Sequence, residues 1–352
     1  MIPYLSKKCS NFFIFGVLIF AVLNCKCDKT TGPEKPEPLE IKWQQTSLRS
    51  ASNGVYSNKS YNIVFADAVD GLFSSFDNGK TWTISFEKIS VTDMAFMENK
   101  DIFAFKNCYY GGMIFKSSNK GEIWEIFAAH NQPAYCPKTL IFHQSGNMFL
   151  GDLGALGFSG GNIYRSSDEG VTWQETSFPD SIGVFSMTIN KNADILAGTT
   201  MGVYWSKDIG DSWQPVNDGI KMYNKKPSPI TQLAHNPVNN DLIAVGRYDD
   251  IYRSTDNGNS WELKNWELQI YSSIIDILIN SKGEIFLAVS STNQGSEATR
   301  GVFYSSDNGE TWQQVNNGLS DINICDVAVD SLGFLYIATE DGIFRTVEPR
   351  YK

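Results

Sequence analysis

Through most of the chain apolar residues come in short runs, as in Ile230–His235, Asp241–Val245, Ile251–Ser254 and Ser260–Lys264. Runs of this length bounded by turn residues read as strands, and four in succession predict a four-stranded antiparallel sheet. The first run of a set is strongly apolar, for example Ile274–Ile279 and Val327–Val329. These strands are expected to surround a central channel and to form the packed core. A polar phrase separates the last two runs of each set. It reads Ser75-Phe-Asp77-Asn-Gly79-Lys-Thr81-Trp82, and it returns around Asp168, Gly170, Thr172, Trp173 and around Asp307, Gly309, Thr311, Trp312. Serine replaces threonine in the copies at Asp208, Gly210, Ser212, Trp213 and at Asp256, Gly258, Ser260, Trp261. The most degenerate copy is Ser117, Asn119, Gly121, Ile123, Trp124. Such a repeat, recurring about 40 to 50 residues apart, marks a radially repeated fold.

Each phrase predicts a hairpin turn. Glycine supplies the positive φ, the aspartate carboxylate accepts from neighbouring amides, and the hydroxyl bonds within the loop. The tryptophan starts the outer strand and can pack between blades. The phrase resembles the Asp-box, or bacterial neuraminidase repeat (BNR), of sialidase-like and sortilin-like β-propellers. The resemblance covers residues 41–347 and assigns Asp77, Asn119, Asp168, Asp208, Asp256 and Asp307 to structural turns. It implies an all-β fold of four-stranded antiparallel blades. After the sixth copy, Ile324–Val329, Phe334–Ala338 and Gly342–Thr346 supply three strands with no fourth. Ile41-Lys42-Trp43-Gln44-Gln45-Thr46 reads like the outer strands after Thr172 and Thr311. A single seven-bladed β-propeller therefore follows, its N-terminal strand completing the last blade, with residues 348–352 as a short tail.

Composition adds export. Lys7 and Lys8 precede an apolar run from Phe12 to Leu23, too short to span a membrane comfortably and suited to a signal-peptide core over residues 1–24. Val22-Leu23-Asn24-Cys25 resembles the bacterial lipobox, which makes Cys25 the lipidated first residue of the mature chain; Asn24 departs from the small residue usual there. A plain secretory signal cleaved nearby is the alternative. The anchor would place the protein in the bacterial cell envelope, periplasmic or surface-facing, touching the membrane only through its lipid. Residues 25–40 carry Pro33, Pro36 and Pro38 and form a linker. The formal charge is −10, and residues 1–27 hold three lysines and no carboxylate, so the body is more acidic still. That argues against nucleic acid or anionic lipid as partner.

The longest connections, Phe149–Asn162, Gln214–Pro229 and Val289–Arg300, fall on the rim opposite the repeated turns, where binding by a rigid ring is expected. Tyr109, Tyr110, Tyr248 and Trp266 share that face, as do the cations Arg247 and Arg300. Cys108 and Cys136 fall at one blade boundary and are expected to pair, whereas Cys325 reads as a small buried apolar residue. Sialidase chemistry needs an arginine cluster. Among the seven arginines, Arg165, Arg253 and Arg345 share one repeat position beside the turn and suit a structural role. Glycoside hydrolysis needs two facing carboxyls, for which Asp67, Asp70, Asp152, Asp249, Asp250, Glu297, Glu340 and Asp341 are the loop candidates. No metal cluster, P-loop, dinucleotide fingerprint or nucleophile elbow is found, so no cofactor is expected. The expected function is non-catalytic recognition of a protein or glycan ligand by a monomer, with a glycoside hydrolase using two loop carboxylates as the alternative.

Overall fold

Each set of runs folds as a separate antiparallel sheet, most of its short strands joined to the next by a tight turn. The computed structural model describes residues 40–58, 61–97, 101–106, 113–127, 136–154, 160–247, 250–264, 272–291 and 299–350. Seven four-stranded antiparallel blades form a β-propeller: blade 1 over Ser52–Glu87, blade 2 over Val91–Phe127, blade 3 over Pro137–Glu175, blade 4 over Val184–Pro215, blade 5 over Ile230–Lys264 and blade 6 over Ser272–Gln314. Blade 7 takes three strands from Ile324–Thr346 and its outer strand from Trp43–Gln45. Trp43 faces Thr346 and Gln45 faces Phe344, so the first and last strands of the described residues share one ladder. A small hairpin pairing Met222–Tyr223 with Lys226–Pro227, unforeseen in the sequence, fills the connection between blades 4 and 5.

The apolar core does not lie mainly on the inner strands, contrary to expectation. Second strands such as Ile63–Ala68, Leu242–Gly246 and Leu335–Thr339 are buried at every position. Inner strands alternate, as in Ile230–His235, where the first and fourth residues are buried and the others half-buried. Seven clusters of buried side chains result, one at each blade-to-blade interface. The reason is geometric: both faces of a second strand meet a neighbouring sheet, whereas an inner strand turns one edge towards the channel.

The repeated turns stitch those interfaces. In blade 3 the Asp168 Oδ1 accepts from the Thr172 amide at 2.8 Å and Oδ2 from the Thr172 hydroxyl at 2.6 Å, while Ser166 Oγ accepts from the Gly170 amide at 2.8 Å. The same pattern holds at Asp77, Asp208, Asp256 and Asp307. Asn119 keeps the amide bond, from Ile123, but that residue has no hydroxyl to give. Gly170 has φ 86°, and a Cβ there would meet the Phe127 ring of the preceding blade at 2.1 Å. Conformation and space thus both demand glycine. The indole of each of several turns reaches back one blade: Trp124 to Ser85, Trp213 to Thr176, Trp261 to the Val216 carbonyl and Trp43 to the Val315 carbonyl. The three arginines beside the turns reach forward instead. Arg165 binds the Ile209 carbonyl and Asp211, Arg253 binds Glu310, and Arg345 donates to the Asn78 carbonyl, each in the next blade's turn.

Candidate functional site at the mouth of the central channel

Every inner strand slips against its neighbour at the same place. The register shifts fall between Ser52 and Gly54, Val91 and Asp93, Pro137 and Thr139, Val184 and Ser186, Ile230 and Gln232, Ile274 and Asp276, and Ile324 and Asp326. A bulge of this kind leaves one residue unpaired and redirects its neighbours. Seven bulges at one level set six side chains around the channel, Asp93, Thr139, Ser186, Gln232, Asp276 and Asp326, with Gly54 at the seventh position. Around it lies a cavity of about 450 Å³ lined by all seven inner strands. The ring sits near the start of those strands, the end to which the blade-to-blade connections and second-to-third hairpins belong.

Much of the ring works as a belt between blades. Ser186 Oγ accepts from the Leu233 amide of blade 5 at 3.2 Å, and Gln232 Nε2 donates to the Ile275 carbonyl of blade 6 at 3.2 Å. Asp326 Oδ2 accepts from the Val55 amide of blade 1 at 2.9 Å, and its Oδ1 accepts from the Val327 amide at 2.8 Å. Asp276, from the neighbouring strand, stands beside the Asp326 carboxyl and adds its charge to that site. In blade 1 the ring position is a glycine. The Tyr56 hydroxyl takes the vacant space, since a Cβ on Gly54 would stand 2.2 Å from it.

Three carboxyls and a phenol therefore share the channel with Lys138. All are half-buried, set inside the ring of inner strands. Burial pushes the Asp93 carboxyl up to about 6, against the pull of Lys138 and the Met94 amide. Burial raises Asp276 as well, and it raises Asp326 furthest, with the Asp276 charge adding to the effect. The Tyr56 phenol is held above its ordinary range by burial and then by the surrounding aspartates. Two neighbouring carboxyls whose values are both raised resist simultaneous ionisation. Among the described residues no three His, Cys, Asp or Glu side chains are grouped to hold a metal ion.

The loop carboxylates picked out for hydrolysis do not come together. Asp67 is fully buried and accepts from the Val91 amide at 2.9 Å, tying blade 1 to blade 2. Asp152 is equally buried and accepts from the Cys136 amide at 2.6 Å. Asp250 binds Lys221 and the hydroxyls of Tyr223 and Tyr252, fixing the small hairpin to blade 5. Asp70, Glu340 and Asp341 are exposed, and Asp249 and Glu297 lie outside the described residues. Arg247 is exposed, with its amide on the Pro229 carbonyl, and Arg300 donates to Asn323 Oδ1 at 3.2 Å. Tyr109, Tyr110, Tyr248, Trp266, Cys25 and Cys108 lie outside the described residues. Cys136 is disulfide-bonded. Cys325 is a free, half-buried thiol rather than a fully buried one: it packs against the apolar cluster between blades 7 and 1 and also lines the channel. Burial, with nearby carboxylates, lifts it to about 11.

The channel carboxyls escaped the sequence reading, although a signal was there. Val91-Thr-Asp93-Met94, Ile274-Ile-Asp276-Ile277 and Ile324-Cys-Asp326-Val327 place an aspartate third in an apolar inner strand, a position that a fully packed core would reject.

A family model described as Sortilin, neurotensin receptor 3 matches residues 201–349, from the third strand of blade 4 through blade 7. Mouse sortilin is 25% identical over 209 residues, 58% of this chain and 23% of sortilin. The chain thus spans less than a quarter of that relative. A Paenibacillus xyloglucanase is 27% identical over 130 residues, covering 33% of this chain and 12% of the xyloglucanase. These matches support a sortilin-like propeller. Among solved structures, YCF48 bound to D1 peptide superposes with a TM-score of 0.62 at 16% identity, covering 89% of this chain and 96% of that one. An extracellular domain from B. thetaiotaomicron, described as that of a one component system, gives 0.65 at 11% identity over 88% of this chain and 40% of that one. At such identities the likeness concerns the fold alone.

Proposed function

We propose that this chain is an exported, lipid-anchored propeller of the bacterial cell envelope that receives a segment of a partner protein at its channel mouth and does no chemistry on it. The supporting observation is the mouth itself: one cavity of about 450 Å³ to which every blade contributes, at the end carrying the longest connections. The turns and their aspartates, read as Asp-boxes, hold that ring rigid. Sortilin is named as a neurotensin receptor and one structural neighbour is a peptide complex, which favours a peptide over a glycan. Export is supported by the apolar run before Cys25 and by the extracellular neighbour.

Against hydrolysis stands geometry. Glycosidases hold their two carboxyls roughly 5–9.5 Å apart with the bond between them, whereas Asp276 and Asp326 stand side by side at neighbouring ring positions and Asp326 is engaged by the Val55 and Val327 amides. The remaining loop carboxylates that are described either serve as caps and ion pairs or stand exposed.

The test is to probe the mature protein with a peptide library and a glycan array, beside T92W, which puts an indole into the mouth. Peptide binding lost in T92W at unchanged melting temperature is expected. Turnover of any glycan by the wild type would reject the reading. For the anchor, mass spectrometry of the mature N-terminus should find a diacylglyceryl group on Cys25, and C25S should leave the membrane fraction.

A further inference from the structure

The carboxyl pair in the channel sits at a particular place in the ring. Asp276 belongs to blade 6, Asp326 to blade 7, and the amide that Asp326 holds, Val55, to blade 1. Blade 7 is the composite blade, closed by Trp43–Gln45 from the other end of the chain. Asp326, bonded to Val55 on one side and facing Asp276 on the other, therefore touches both flanks of the closing blade. Ser57 Oγ, donating to the Val329 carbonyl at 2.6 Å, is a second bond across the blade 7 to blade 1 interface. In blade 4 the equivalent ring position is a serine, which makes its bond to blade 5 without any charge.

We propose that this pair is a proton-dependent latch on ring closure: with one proton between Asp276 and Asp326 the inner strands of blades 6, 7 and 1 are joined, and loss of that proton forces the closing blade apart from its neighbour. The charged and titratable groups facing the pair are Tyr56 from blade 1, Asp93 from blade 2, Lys138 from blade 3 and Cys325 from the same strand as Asp326. Asp67, behind Tyr56, adds a further carboxyl. Lys138 is the only cation among the cavity-lining residues, so full ionisation of Asp93, Asp276 and Asp326 leaves two uncompensated negative charges. Retaining one proton between Asp276 and Asp326 removes one of them and supplies the hydrogen bond.

The sign follows from linkage. A carboxyl raised in the folded state binds its proton where the unfolded chain has already released it, so stability is fully present below the unfolded value near 4 and declines as pH rises through the folded one. For Asp93 that decline ends near 6. For the pair it continues to higher pH, because Asp326 is raised furthest. The latch does not depend on which ligand the mouth takes.

The experiment is melting temperature of the mature protein between pH 5 and pH 9 for wild type, D276N, D326N and D70N, the last an exposed carboxyl. An asparagine keeps a hydrogen-bonding group in place and cannot ionise. Wild type and D70N are expected to lose about 3 °C or more across this range beyond any loss in D276N or D326N. Infrared spectroscopy at pH 7 reads the proton directly: the wild type should show the carbonyl band of a protonated carboxylic acid, which D326N lacks. Should one variant fail to fold, the other and the infrared band carry the test. Parallel pH profiles in wild type and the foldable variant, or no protonated carboxyl at pH 7, would overturn the latch.

Discussion

The Trp43 indole donates to the Val315 carbonyl at 2.7 Å across 272 residues of sequence, and the tryptophan is 2% exposed. That one side chain packs the outer strand of blade 7 against blade 6, and its strand joins the chain's beginning to its end.

Closure should therefore depend on the first strand. W43A is expected to cost about 3–5 kcal/mol, the usual loss for a buried aromatic side chain. Deleting residues 41–47 should lower the melting temperature further, since it strips the last blade of its outer strand and leaves an open edge. An unchanged melting temperature after the deletion would falsify ring closure by this strand.

The absent side chain at position 54 is as specific as any present one. G54A drives a methyl group into the Tyr56 hydroxyl and should destabilise by about 1–3 kcal/mol. Combined with Y56L, the two effects should fail to add by more than about 0.5 kcal/mol, because they act on one space. Additive losses in urea unfolding would show that Tyr56 does not occupy it.

The turn aspartates titrate in the opposite sense to the channel pair. The side chain and amide of Thr172 hold the Asp168 carboxyl down to about 2, and hydrogen bonds led by the Ser212 hydroxyl lower Asp208. A depressed folded value contributes stability present above the unfolded pKa and lost as pH falls through the folded one. Stability should then fall on acidification from about pH 4 towards 2. D168N, with a group that does not titrate, should flatten that acid limb in denaturant midpoints measured against pH. An acid limb as steep as the wild type's would show that the Asp168 turn is not its source.

Cysteine chemistry separates three positions. Without reduction, Cys136 should resist alkylation and appear by mass spectrometry in a peptide cross-linked to the one containing Cys108. Free, alkylatable thiols at both would rule out the bridge. Cys325 should alkylate slowly below pH 9 and faster towards its raised value near 11, in step with its thiolate fraction.

Architecture was legible in the sequence because each blade needs the same local chemistry. A tight turn between third and outer strands requires glycine at a positive φ, an acceptor two residues before it and an aromatic side chain to cover the interface, so the phrase around Asp77 had to recur around Asp307. Even the unpaired strands after Gly309 pointed to Trp43, since an exposed sheet edge invites a partner.

The channel was decided by tertiary structure. Asp93, Asp276 and Asp326 are separated by up to 233 residues, and nothing local states that three inner strands bulge at one level. Their proximity comes from the ring, which brings blades 6, 7, 1 and 2 side by side. Their shifted ionisation comes from shared burial there. The loop carboxylates misled for the same reason: type and position marked Asp67 and Asp152 as reactive, and only packing showed each spent on an amide of the blade connections. Sequence alone determined which residues could turn, pair and cover, because those needs are local. Which charges must share a space was settled only when the ends of the chain met.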